Sequence, residues 1–168
     1  LCEIGSSVGS DVPFLVRGGS ALVHGLGERI EPHDTSPEVH AVLVLPETVC
    51  PTRDVYRTYD EIGPVDLRET DVRDLCQGIP AAPSPDHLFN DLAAPALHVA
   101  PALEGLLDRV SAIAERPAHV SGSGSSLFVL CDDPLHAEFL AGAIEEQLGE
   151  PAVAVSAVAR PSPVPVEL

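Results

Sequence analysis

Three short apolar runs restrict the fold more than any other feature: Ala41-Val42-Leu43-Val44-Leu45, Leu127-Phe128-Val129-Leu130 and Ala152 to Val158. The first is closed by Pro46, and the first two read as buried strands; Ala152 to Val158 reads as a last strand. Between them the apolar period changes to that of helices. Thr52 precedes a helical pattern from Arg53 to Ile62. Thr52 suits an N-cap, and Asp54 lies in the first turn, where the helix dipole favours negative charge. Val55, Tyr59 and Ile62 share one face of that helix, with Tyr56 beside it and half exposed. Pro101 opens a second helix with Leu103, Leu106, Leu107, Val110 and Ile113 on one stripe. Asp132, Asp133 and Pro134 start a third, with Pro at the first helical position and Gly149 at its end. Leu135, Phe139, Ala143, Ile144 and Leu148 form its expected inner stripe. The order strand, helix, helix, strand, helix, strand over residues 39–160 predicts an α+β domain, a small open sheet with helices on one face. No internal repeat is visible.

Residues 1–38 read as the end of another unit. Ser20 to Gly25 and Glu28 to Ile30 predict two short strands bent at Gly25-Leu26-Gly27. Glu31 to Glu38, with Pro32, Asp34, Ser36 and Pro37, reads as a linker and domain boundary. Gly63 to Asp86 is rich in acidic residues and proline and predicts a surface loop with one helical turn near Val72 to Cys76. Residues 161–168 form a proline-rich tail.

Two stretches carry candidate chemistry. The first is Val8-Gly9-Ser10-Asp11-Val12-Pro13-Phe14, followed by Arg17-Gly18-Gly19. Val12 precedes a proline, which disfavours helix and predicts Asp11 in an extended or turn conformation. Gly9 lets another backbone or a ligand approach. Asp11 is then either the cap of a turn or helix or a catalytic base. The second stretch is Val120-Ser121-Gly122-Ser123-Gly124-Ser125-Ser126. It is either a flexible linker or a tight loop whose amides and hydroxyls hold an anion. Its shortness and its apolar flanks favour the tight loop. No Gly-Lys-Ser/Thr is present, so it is not a Walker loop.

Composition narrows the chemistry. The net charge is −17 over 168 residues, and all nine basic residues are Arg. Such a chain repels phosphate backbones, which argues against nucleic acid as a partner. No apolar run approaches the roughly 18 residues of a membrane helix, so no membrane partner is expected. Cys2, Cys50, Cys76 and Cys131 form no CxxC pair, and the seven His show no metal-binding spacing, so no metal site is expected. Four thiols without a visible secretion signal suit a reducing cytoplasm. The chain lacks Met and opens mid-pattern at Leu1-Cys2-Glu3-Ile4, so further residues are expected upstream.

The blocks Gly9 to Phe14, Arg17 to Ala21, Gly25 to Glu28, Pro51 to Tyr56, Asn90-Asp91-Leu92 and Val120 to Ser125, in this order, resemble the 4-diphosphocytidyl-2-C-methyl-D-erythritol kinases of the GHMP small-molecule kinase superfamily. The resemblance implies ATP- and Mg2+-dependent phosphorylation of the 2-hydroxyl of a cytidine-diphosphate-linked methylerythritol, in the non-mevalonate route to isoprenoid precursors. It implies the catalytic aspartate at Asp11. It implies substrate contacts from Thr52, from Tyr56 stacking on cytosine, and from the Gly122-Ser123-Gly124-Ser125 loop. It also implies a C-terminal GHMP domain with a small antiparallel sheet over residues 39–160, preceded over 1–38 by the end of the ATP-binding domain. The family's ATP loop and lysine are expected upstream of Leu1, so the chain as given is expected to have no competent ATP site and little activity. Two alternatives are another superfamily member, of homoserine or mevalonate type, and a catalytically dead binding or regulatory domain.

Overall fold

A run of β-branched and aliphatic residues at His40–Val44 takes the centre of a four-stranded antiparallel sheet, and the rest of that unit is built around it. The computed structural model describes residues 4–5, 7–33, 38–63, 69–78, 84–85 and 88–157. In chain order the elements are α1 (Val12–Arg17), β1 (Ser20–His24), β2 (Arg29–His33), β3 (His40–Val44), α2 (Thr52–Ile62) and α3 (Glu69–Gly78). They continue with α4 (Ala93–Val99), α5 (Ala102–Ala114), β4 (His119–Val120), β5 (Leu127–Cys131), α6 (Pro134–Leu148) and β6 (Ala152–Ser156). The fold is α+β. The chain divides into two units, one of residues 1–38, 69–82 and 157–168, the other of residues 39–68 and 83–156.

In the second unit the strand order is β4-β5-β3-β6, every pair antiparallel. Val42 faces Val129 on one side and Ala154 on the other, and Val44 faces Leu127 and Ala152. Cross-strand partners lie on the same face of a pleated sheet. That face is buried beneath the helices, with Val55, Leu103, Leu106, Val110, Ala137, Leu140, Ala141 and Ile144 closing over it. α6 packs on β3, β5 and β6, α5 on β5, and α4 on β4. The opposite face carries the pair His119 and Phe128, whose rings stack with centroids 5.3 Å apart. At the sheet end, His40 Nδ1 and Ser156 Oγ lie 2.7 Å apart across β3 and β6.

Several local readings change. α6 starts as expected, with Asp133 as N-cap accepting from the His136 amide at 2.8 Å, Pro134 at the first position and Gly149 closing it at φ 70°. Its inner stripe holds at Ile144 and Leu148 and changes elsewhere: Ala137, Leu140, Ala141 and Ile144 are buried with Leu148 packed against them, whereas Leu135 and Phe139 are 76% and 79% exposed. Both sets have helical spacing, and the smaller residues face the sheet because they permit close approach. In α2 the N-cap position falls to Pro51, and Thr52 is the first helical residue without a capping bond. Val55 and Thr58 are the buried residues there, and Ile62 at the helix end is 63% exposed. The helical turn expected near Val72 is a ten-residue helix, α3. α4 is an additional helix; its Pro95 lies in the first turn, where a missing N–H costs little.

In the first unit, β1 and β2 form an antiparallel hairpin pairing Ser20 with His33 and His24 with Arg29. β2 therefore runs into the segment read as a linker, of which residues 34–37 lie outside the described residues, as does the tail 161–168. Val12 is helical, contrary to the expectation from Pro13. The proline occupies the second helical position, where no intrahelical N–H is needed and its fixed φ suits the helix.

Candidate functional site

Asp11 occupies the N-cap position of α1, in the right-handed helical region at φ −86° and ψ −18°, and its side chain makes no capping bond. This backbone angle differs from the extended one that lets an N-cap carboxylate reach the first-turn amides. The nearest polar partner is Ser10, whose hydroxyl donates to Asp11 Oδ1 at 3.2 Å on an exposed surface. The carboxylate is thus presented outward rather than consumed in capping. Its backbone is supported from the hairpin turn. Gly27, at φ 97°, sits so close to the Ser10 carbonyl that a Cβ at position 27 would collide with it. The turn itself is held by Glu28, whose carboxylate accepts from the Leu26 amide at 2.6 Å. Hydrogen bonds from the Glu28 and Leu26 amides hold the Glu28 carboxyl below the usual carboxylate range.

In the second unit the remaining candidate residues converge. The loop between β4 and β5 turns through Gly122 and Gly124, at φ 56° and 77°. A side chain at Gly122 would meet open space, so glycine is demanded there by the backbone angle alone. The loop is closed on itself: the Ser121 amide donates to the Ser126 carbonyl and the Gly124 amide to the Ser121 carbonyl, both at 2.9 Å. These bonds make the stretch a tight turn rather than a linker. They also engage two of the amides that an anion cradle could use.

The start of α2 meets this loop. Thr52 Oγ1 and Ser123 Oγ lie 3.0 Å apart, and the Cys50 thiol donates to the Ser123 carbonyl at 3.1 Å. Burial pushes the Cys50 thiol above its ordinary range, which keeps it a protonated donor. Ser125 Oγ reaches the Pro46 carbonyl at 3.5 Å. Tyr56 lies one helical turn beyond Thr52 and is 52% exposed, so part of its ring is available for stacking. The structure therefore brings Thr52 together with Ser123 and places Tyr56 on the same helix.

Two further residues belong to this arrangement that the sequence does not mark as site residues. The sequence shows Cys50 only as one of four scattered thiols. Asn90 appeared within a family block without a role, and its amide nitrogen donates to the Val120 carbonyl at 3.0 Å and to the Gly122 carbonyl at 2.7 Å.

Among the described residues, the Gly/Ser loop does not have the form of a helix-opening phosphate loop. A Gly/Ser loop that connects two strands does not point its amides from a helix N-terminus, and the chain contains no Lys. Among the described residues no group of three or more His, Cys, Asp or Glu could hold a metal ion. No described helix is long and apolar enough to cross a membrane.

No family model matches the chain. A 4-diphosphocytidyl-2-C-methyl-D-erythritol kinase of Enterococcus faecalis is 32% identical over 141 residues, covering 82% of this chain and 49% of the relative. One from Thermus thermophilus is 33% identical over 146 residues, covering 86% of this chain and 51% of the relative. The chain is a homologue of these kinases. It spans about half the length of the curated relatives it matches. The crystal structure of a 4-(cytidine 5'-diphospho)-2C-methyl-D-erythritol kinase superposes with a TM-score of 0.68 at 33% identity, over 92% of this chain and 56% of that one. A homoserine kinase from Cytophaga hutchinsonii, 17% identical, shares the fold with a TM-score of 0.54. This kinase homologue therefore has the α+β architecture found among GHMP-type kinases.

Proposed function

We propose that the protein to which this chain belongs phosphorylates the 2-hydroxyl of 4-diphosphocytidyl-2-C-methyl-D-erythritol, a step of the non-mevalonate route to isoprenoid precursors. The observation that carries this reading is the one-third identity to kinases of that name across more than four-fifths of the chain. In this reading residues 1–38 end an ATP-binding domain, and residues 39–160 form the second domain.

Phosphoryl transfer asks mainly for positioning and charge stabilisation. Asp11 is assigned the proton: its exposed carboxylate would orient the 2-hydroxyl and accept its proton as that oxygen bonds to phosphorus and the phosphoanhydride P–O bond of the donor breaks. Tyr56 stacks on the cytosine ring, and its half-exposed place on α2 supports that role. Thr52 and the Gly122-Ser123-Gly124-Ser125 loop hold the polar part of the substrate with hydroxyl and amide donors. ATP and Mg2+ supply the phosphoryl group and its charge neutralisation. Their binding groups are assigned to parts of the protein other than this chain. Two free thiols among the described residues, Cys50 and Cys131, suit a reducing compartment, and we place the protein in the cytoplasm.

A substrate panel tests the proposal. Full-length protein given ATP, Mg2+ and either the cytidine-linked methylerythritol, homoserine or mevalonate is expected to phosphorylate the first alone. Turnover of homoserine or mevalonate in its place overturns the substrate assignment. Absence of any turnover supports a binding or regulatory domain.

A further inference from the structure

Asn90 stands just before α4, and its side chain has three hydrogen bonds. Both amide hydrogens go to the loop between β4 and β5, to the Val120 carbonyl at 3.0 Å and the Gly122 carbonyl at 2.7 Å. Its Oδ1 accepts from the Leu92 amide at 3.0 Å, and its own carbonyl accepts from the Ala93 amide at 2.9 Å. The orientation of the amide is fixed by chemistry: only the NH2 end can face two carbonyls, and only the oxygen can face an N–H. The two carbonyls it grips flank Ser121, where β4 gives way to the glycine turn. A side chain that served only to start α4 would need the oxygen alone, and Asp would do that as well as Asn.

We propose that Asn90 is a positioning residue for substrate binding: its two donors fix the limb of the loop that enters Gly122, and so set where Ser123, Gly124 and Ser125 present their groups. Cys50 and Thr52 tether the same loop at Ser123, and Asn90 holds the side those two do not reach. This inference rests on the assignment of the loop as substrate-holding.

The test compares Asn90→Asp with wild type in the full-length protein. Asp keeps the oxygen that accepts from Leu92 and sets carboxylate oxygen against both carbonyls. Two readouts are used: the KM and kcat for 4-diphosphocytidyl-2-C-methyl-D-erythritol, and amide hydrogen exchange at Ser121 and Gly124 relative to β5. The expected result is faster exchange at Gly124 with β5 unchanged, and a KM raised about ten-fold with kcat changed by less than about three-fold. Asn90→Ser, which also retains a capping oxygen but cannot span both carbonyls, is the second variant where the charge prevents folding. Wild-type exchange in the loop of either variant overturns the positioning role. Faster loop exchange with an unchanged KM overturns the substrate role and the assignment of the loop with it. Wild-type protein that leaves the substrate unphosphorylated overturns the proposed function, whereas the exchange comparison still decides whether Asn90 holds the loop.

Discussion

Thr52 Oγ1 stands 3.0 Å from Ser123 Oγ, 71 residues away in sequence, and this hydroxyl pair joins the first turn of α2 to the glycine turn between β4 and β5. Thr52 can make that contact because Pro51 holds the N-cap position and leaves the Thr hydroxyl out of capping. Thr52→Val removes the bond without changing the shape of the side chain. Because the pair is exposed, the loss of stability is expected to be small, about 0.5–1 kcal/mol. The KM for the cytidine-linked substrate is expected to rise several-fold, checked by steady-state kinetics alongside urea denaturation.

Tyr56→Ala is expected to weaken the cytidine-bearing substrate by about ten-fold in KM, the effect of losing one base–aromatic stack. The exposure of the ring means that stability should hardly move. A variant with unchanged KM and lowered stability would instead show that Tyr56 is a packing residue.

Gly27→Ala addresses the support of Asp11. The position combines φ 97° with a backbone carbonyl, that of Ser10, where a methyl group would go. Neither can be relieved by rotating a side chain. The substitution is expected to destabilise by more than about 1 kcal/mol, read by thermal unfolding. It should also lower kcat, since the segment it displaces carries Asp11.

The two faces of α6 make opposite predictions. Leu140→Ala leaves a cavity beneath the sheet and should cost about 2–5 kcal/mol, whereas Phe139→Ala on the exposed face should stay within about 0.5 kcal/mol. Asp133→Ala removes the bond to the His136 amide and should cost about 1 kcal/mol. Denaturant midpoints distinguish all three.

One pH dependence follows from Asp132. The Arg116 guanidinium bonds both of its oxygens, at 3.1 and 2.9 Å, and holds the carboxyl below its ordinary value of 3.8. A lowered folded-state value means the unfolded chain takes up the proton first. The contribution is therefore complete above the ordinary value and is lost as pH falls below it, through the folded value. Wild type and Asp132→Asn should differ slightly in urea midpoint near neutral pH, and the difference should close in acid below about pH 3.8.

The sheet was legible in the sequence because β3 and β5 are largely buried strands whose short apolar runs have no other stable use, whereas β6 lies at the sheet edge with only Ala152 buried. The end signals of α6 were equally readable, since Asp133, Pro134 and Gly149 each act through local geometry. What failed were choices that only tertiary packing makes. Leu135 and Phe139 are larger than Ala137 and Ala141, yet the smaller pair faces the sheet. Pro13 disfavours helix at Val12, but a proline in the first turn is compatible with one. The tight glycine turn followed from its shortness and apolar flanks, whereas Thr52, expected as an N-cap, is the first helical residue. The grip of Asn90 and Cys50 on that turn did not follow from the sequence, because a bond to a carbonyl 30 or 73 residues away leaves no local pattern.

The central claim is tested most directly by assaying the full-length protein, wild type and Asp11→Asn, for phosphorylation of 4-diphosphocytidyl-2-C-methyl-D-erythritol with ATP and Mg2+. Removal of the proton acceptor is predicted to lower kcat by about 100-fold or more while KM changes little. Wild-type turnover by Asp11→Asn, or a wild-type protein inert toward this substrate, would contradict it.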